Sequence, residues 1–184
     1  MDMQPPIITT HRKNRPRAHS TIFAALLFLV MNLVSLPSYS QPDLSYFNEL
    51  SSFENTTQVN QDGFDHDLTL DQSGVGHQLY AQQLGHTNSI QVNQQGSQQY
   101  SAVYQSGANI EAEILQMGAG NVLVSYQDGD NLYVDIMQTG TANVALIKQS
   151  GFDNSIGIKQ YGSGLAVGVL QWGNGQHVAI TQGK

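Results

Sequence analysis

The side chains best placed to act together in this chain are glutamine amides. Twelve of them recur at a constant spacing of 11 residues. An amide both donates and accepts hydrogen bonds, and its burial is costly unless both functions are paired. Identical amides placed one above another would pair along a column, as they do in cross-β assemblies. The twelve are Gln61, Gln72, Gln83, Gln94, Gln105, Gln116, Gln127, Gln138, Gln149, Gln160, Gln171 and Gln182.

Eleven of these glutamines are followed two residues later by glycine, so the repeated unit is Gln-x-Gly. Self-similarity at a fixed period is typical of proteins built from stacked repeats. Glycine is the residue that turns most readily require, and we therefore expect a turn after each glutamine. The turn glycines are Gly63, Gly74, Gly85, Gly96, Gly107, Gly118, Gly129, Gly140, Gly151, Gly162 and Gly173.

Other chemistry finds little support in the sequence. Four histidines of the repeated region could suggest a metal site, but no spacing puts two of them on one face of one strand. We interpret them as polar filling and predict neither a metal nor a cofactor. The carboxylates have no partnering nucleophile or pocket, so catalysis is not expected. The histidines are His66, His77, His86 and His177.

The residues between successive Gln-x-Gly units alternate in polarity. Counting back in steps of two from Gln160 gives Ile158 and Ile156, and most of the equivalent positions are aliphatic. Alternation with a period of two predicts a strand with one buried face. The residue six before each glutamine shares that face and is often an amide or imidazole, as at Asn154. We expect strands of about seven residues whose inward row reads polar, apolar, apolar, Gln.

Two strand-and-turn halves, each one period of 11 residues, make one coil that stacks on the next by parallel pairing. This predicts an all-β fold, an amyloid-competent β-solenoid with six two-strand coils and a height of roughly 29 Å. Its glutamines form two inward columns of six, left unpaired at both end coils. The recurring glycines and the alternation argue against a right-handed helical supercoil of the same period. The strict register argues against a disordered prion-like tract. The coils are 55–76, 77–98, 99–120, 121–142, 143–164 and 165–184.

The first 40 residues differ from the repeats in composition. A basic region from Arg12 to Arg17 precedes an apolar run from Thr21 to Leu36. Small residues then lead to a predicted cleavage between Ser40 and Gln41, as in a secretory signal peptide at 1–40. An N-terminal membrane anchor is the alternative, because the run is near the lower length limit for a spanning helix.

Charge and composition exclude some partners. After the cut, three lysines face 13 acidic residues, a net charge of 3 − 13 = −10. No basic patch remains to neutralise phosphates, so nucleic acid is not an expected partner. There is no cysteine, and no proline follows Pro42, which suits a chain that is strand over most of its length.

The outward residues predict two different faces. On the sheet that carries Gln61 we expect an exposed apolar strip over the last four coils, which is either a contact surface or a tolerated β-propensity face. The opposite sheet carries outward carboxylates such as Glu111, Glu113 and Asp135. These form either a solvated face or a stack of like charges that slows premature assembly. The candidate contact strip is Tyr104, Val122, Val124, Tyr126, Val144 and Leu146.

The repeats resemble those of the curlin family, the subunits of extracellular bacterial amyloid fibres. The resemblance lies in Gln-x-Gly-x-x-Asn, as at Gln138 to Asn143 and Gln149 to Asn154, with a second glutamine one period after the first. It covers residues 55–182, although six repeats occur where five are expected. Within the family, the segment from Phe47 to Phe53 and the ending at Lys184 look most like the minor subunit, which nucleates polymerisation.

The resemblance implies a secreted structural protein, not an enzyme, that nucleates curli-type fibres on the cell surface. Such a fimbrium serves cell adhesion and the biofilm matrix. Residues 41–54 would direct export. The implied partners are the major curlin subunit, other copies of this chain, the curli export pore with its accessory proteins, and the outer membrane surface. The major fibre subunit and a β-solenoid adhesin that uses the strip are the alternative functions.

Overall fold

The computed structural model describes residues 54–183, which fold as twelve parallel β-strands with no helix among them. The signal peptide predicted at 1–40 and nearly all of the predicted export segment lie outside the described residues. The strands are β1 (Thr56–Phe64), β2 (Asp67–Val75), β3 (Gln78–His86), β4 (Ser89–Ser97), β5 (Tyr100–Ala108), β6 (Glu111–Ala119), β7 (Val122–Asp130), β8 (Tyr133–Thr141), β9 (Val144–Phe152), β10 (Ser155–Ser163), β11 (Ala166–Asn174) and β12 (His177–Gly183).

The strands form two six-stranded sheets, one of odd-numbered and one of even-numbered strands. Each strand pairs with the next strand but one along the chain, so that Gln105 lies opposite Gln127 and Gln116 opposite Gln138, each pair 22 residues apart. One odd and one even strand therefore make one coil, and each coil stacks on the next without a change of register. The predicted β-solenoid of six coils is confirmed.

Strand length and the place of the glycines differ from the prediction. The strands are nine residues long, except β12, and pairing continues through the whole Gln-x-Gly unit. Each such glycine thus lies inside a paired strand, with φ between 109° and 141°. A Cβ on Gly129 would lie only 1.8 Å from the carbonyl oxygen of Gly151 in the next coil. Glycine is required because it lets the strand bend while the two backbones touch.

The apolar rows of the two sheets face each other and form one core along the stack. Leu79, Ile90, Leu123 and Ile158 are completely buried in it. Within residues 54–183 no coil precedes the first one, and its inward Val59 is 42 % exposed. In this part of the chain the core is therefore closed along its sides and open at its ends.

Candidate functional site

The two glutamine columns are continuous hydrogen-bonded ladders. In each, the side-chain Nε2 of one glutamine donates to the Oε1 of the glutamine 22 residues later, over 2.7 to 3.3 Å. Gln83, Gln94, Gln105 and Gln160 are among those that are fully buried. Pairing along the axis therefore supplies the partners that a buried amide needs.

The same amides also tie the two sheets together. Gln116 Nε2 donates to the carbonyl of Tyr100 at 3.1 Å, and Gln138 Nε2 to that of Val122 at 3.1 Å. Each accepting carbonyl lies 16 residues earlier, at the start of a strand in the opposite sheet. Both amide hydrogens and the amide oxygen of Gln116 and of Gln138 are thus used, and each of these two glutamines fixes its own coil as well as the next.

The ladders have a direction, which makes their ends chemically different. Every step runs from a lower to a higher residue number, so no described residue donates to the Oε1 of Gln61 or Gln72. At the other end, Gln171 and Gln182 each accept from the preceding coil, and each donates one N–H to a carbonyl. The first coil therefore offers acceptors and the last coil offers donors.

A second set of side chains, asparagines, clamps the turns between coils. Asn121 Nδ2 donates to the carbonyls of Met117 and Gly140, and its Oδ1 accepts from the backbone N–H of Asn143, at 3.0 to 3.2 Å. Asn88, Asn143 and Asn154 make the same three bonds in their own coils. Sequence reasoning placed these asparagines on the inward face and in the Gln-x-Gly-x-x-Asn motif, but it assigned them no hydrogen-bonding role. The signal for the clamp was the asparagine five residues after glutamine.

Gln99 shows why asparagine suits the clamp. Its Nε2 keeps the two carbonyl bonds, to Gln95 and Gly118, at 3.0 and 3.1 Å. Its longer side chain leaves Oε1 buried with no partner among the described residues. An unpaired buried acceptor costs stability, which the shorter asparagine avoids.

The structure does not bring the four histidines together. His66 and His77 occupy clamp positions, and their Nε2 atoms lie 3.1 and 3.2 Å from the carbonyls of Asp62 and Ser73. His86, the last residue of β3, stacks on Phe64, the last residue of β1, and His177 Nδ1 lies 2.6 Å from the Ser155 hydroxyl. Within residues 54–183, no group of three histidine or acidic side chains could hold a metal ion.

The contact strip is more buried than the sequence predicts. Its members are half-buried, and Leu146 is only 4 % exposed. In-register stacking is the reason, because each outward side chain is flanked by those of the adjacent coils. The ring of Tyr104 stacks on that of Tyr126 with centroids 4.6 Å apart, and Lys148 Nζ lies 5.4 Å from the second ring. The strip is thus a packed row of partly exposed side chains, and its role as a contact surface stays a prediction.

The outward carboxylates of the even-strand sheet are mostly kept apart. Asp67 and Asp71 pair in register with Ser89 and Asn93, whereas Glu113 lies beside Asp135. The Tyr133 hydroxyl donates to Glu113 at 3.0 Å. Burial, this bond and the neighbouring carboxylates raise the pKa of Tyr133 to about 12. A column of stacked like charges is therefore absent from this sheet in the described residues, apart from that one pair.

Residues 129–162 match the family model of the curlin associated repeat. The match supports the curlin family. These residues contain two successive Gln-x-Gly-x-x-Asn units, and so include both ladder glutamines and clamp asparagines. No curated protein and no solved structure matches the chain.

The match to the curlin repeat and the β-solenoid fold together suggest a curli-type structural subunit. Residues 54–183 contain no helix that is long and apolar enough to cross a membrane.

Proposed function

We propose that the mature chain is secreted and nucleates curli-type amyloid fibres on the cell surface. A folded stack would present an end coil whose backbone groups and glutamine amides pair with an incoming chain. The observation that carries this proposal is the pair of unbroken ladders, which end in acceptors at Gln61 and Gln72. An end of this kind is completed only by another coil of the same period.

The partner in this role is the major curlin subunit, delivered through the curli export pore with its accessory proteins. Anchorage at the outer membrane surface would keep the fibre on the cell. The lead-in from Phe47 to Phe53 and the ending at Lys184 favour the minor, nucleating subunit through their resemblance to it. The same ladders would also suit a major fibre subunit, because copies of one chain could stack on one another.

A seeding assay separates these functions. Trace amounts of the folded mature chain are added to a soluble major curlin subunit, and fibre growth is followed by dye fluorescence. A nucleator abolishes the lag at trace amounts, a major subunit acts only near stoichiometric amounts, and an adhesin does neither. A lag unchanged at every ratio would contradict the proposal.

The end coil can be tested with matched variants. Gln61→Leu with Gln72→Leu removes the two first-coil amides whose Oε1 atoms accept no hydrogen bond within residues 54–183. Gln58→Leu with Thr69→Leu changes two outward, exposed residues of the same coil. Loss of seeding in the first pair alone is the expected result; equal seeding by both pairs would contradict a role for the ladder ends.

A further inference from the structure

One clamp position holds a fully buried imidazole in the place of an amide. The Nδ1 atom of His77 accepts a hydrogen bond from the backbone N–H of Gln99 at 3.3 Å. Its Nε2 atom lies 3.2 Å from the carbonyl oxygen of Ser73. Because Nδ1 accepts, it carries no hydrogen, so that Nε2 carries the hydrogen and donates it to Ser73. Both contacts therefore require the neutral form of the ring.

The partners of His77 belong to different coils. Ser73 lies in β2 of the first coil, His77 directly precedes β3 of the second coil, and Gln99 directly precedes β5 of the third. The backbone N–H of His77 also donates to Oδ1 of Asn55 at 2.9 Å. This one residue thus connects the first three coils at their turns.

A proton on Nδ1 would break this arrangement. The charged ring has a donor at each nitrogen, so the N–H of Gln99 would face a second donor and lose its partner. The charge would also lie in a site that is 0 % exposed. An unpaired buried charge costs far more than a buried neutral polar group. The asparagine clamps have no such limit, because an amide does not take up a proton near neutral pH.

No described carboxylate is placed to stabilise a charge on His77. Strand β4, which packs against this turn, carries no titratable side chain. Glu54 is exposed, and the titratable groups on the other neighbouring strands alternate with inward residues and so point outward. Those outward groups are Asp71 on β2, Tyr80 on β3 and Tyr100 on β5.

His66, at the clamp position of the first coil, provides a comparison within the same molecule. Its Nε2 lies 3.1 Å from the carbonyl oxygen of Asp62, but its Nδ1 has no partner among the described residues. The ring is only half-buried, and Asp62, Asp65 and Asp67 lie within four residues of it in the sequence. A proton on this Nδ1 would break no hydrogen bond. Its charge would lie near carboxylates and water.

We propose that His77 is a pH-sensitive joint, which holds the first three coils together near neutral pH and releases them in mild acid. A histidine in water takes up a proton near pH 6.5. Only the opened turn leaves His77 free to do so, and the opened state therefore binds more protons than the closed one. Below that pH, its population should rise up to about tenfold for each further unit of pH. The inference concerns the folded chain alone and does not depend on templating.

The first experiment measures amide hydrogen exchange of the folded chain at about pH 7.5 and about pH 5.5, corrected for the intrinsic effect of pH on exchange. Protection of β2 and β3 in the wild type should fall about tenfold at the lower pH. His77→Asn should keep its protection, whereas His86→Asn, at an exposed position, should behave like the wild type. Strands β9 and β10, whose coil has the clamps Asn143 and Asn154, are the internal control. An equal loss in the wild type and in His77→Asn would overturn the proposal.

The second experiment follows proton uptake by the imidazole rings of the same folded chain, using NMR. The signal of a charged His77 ring should appear only together with the loss of exchange protection. A charged His77 ring in a turn that keeps full protection would overturn the proposal. If His77→Asn does not fold, His77→Gln takes its place, because Gln99 keeps the two carbonyl bonds of the clamp.

Discussion

The interior of this solenoid and its outer faces obey different rules. Inside, both sheets repeat the same ladder glutamine and the same glycine in every coil from the first to the fifth. Outside, one sheet carries the packed contact strip and the other carries Glu113, Asp135 and Tyr133. Stacking constrains the inward groups that pair with the next coil. The outward residues of the two sheets are therefore free to differ, and substitutions inside should cost more stability than substitutions outside.

The largest loss of stability is expected at one of the Gln-x-Gly glycines, which stack in a column along each sheet. Gly129→Ala places a Cβ 1.8 Å from the carbonyl oxygen of Gly151, at a position where φ is 141°. Strain and overlap should lower the free energy of unfolding by about 3 kcal/mol or more. Urea unfolding followed by circular dichroism measures this, with outward-facing Gly157→Ala as the control. Equal midpoints for the two variants would show that the stacked glycines tolerate a side chain as well as an outward-facing glycine does.

A ladder glutamine should come next. Gln116→Leu leaves the Gln94 amide, the Ser101 hydroxyl and the Gln138 oxygen each without one partner. Because unpaired buried groups cost about 1 to 3 kcal/mol each, a loss of roughly 2 to 4 kcal/mol is expected. Gln91→Leu, at an exposed position of β4, should change the urea midpoint little. Similar losses in both would contradict the distinction between interior and face.

Substitutions in the contact strip should change stability less than they change seeding or retention on cells. Val124→Thr changes a half-buried outward side chain and should alter the free energy of unfolding by only about 0.5 kcal/mol. Leu146→Thr should cost about 1 to 2 kcal/mol, because its side chain is buried. If the strip is a contact surface, the Val124→Thr chain seeds more weakly or is retained less on cells. Unchanged seeding and retention would leave the strip as packing alone.

The smallest effect should come from Tyr133 at alkaline pH. Its raised pKa means that the folded state favours the neutral phenol. This contribution is complete below the ordinary tyrosine pKa of about 10 and is lost as pH rises towards about 12. Urea midpoints between these pH values should fall more for the wild type than for Tyr133→Phe. Parallel pH profiles would show that the bond to Glu113 does not influence stability.

The sequence predicts the coil and both columns because a strict repeat period and an alternation of two are global constraints. Local backbone detail carries no such signature. Thr87 and Ala142 adopt left-handed turns with φ of 57° and 54°, although neither residue type favours them. The burial of Leu146 depends on its neighbours across the sheet, which composition does not reveal. The clamp of Asn121 could not be predicted without knowing that carbonyls near the strand ends of two coils, at Met117 and Gly140, converge on one side chain.

The register of the coils also limits how such a gene can change length. Both sheets carry the ladder glutamine and its glycine at the same intervals, so an insertion of one period, 11 residues, would keep both ladders in register. It would nevertheless send each later strand to the opposite sheet, and the strip and the carboxylates beyond it would exchange sides. Only whole steps of 22 residues extend the chain without scrambling its surface. The 22-residue register therefore determines on which of the two faces each later residue lies.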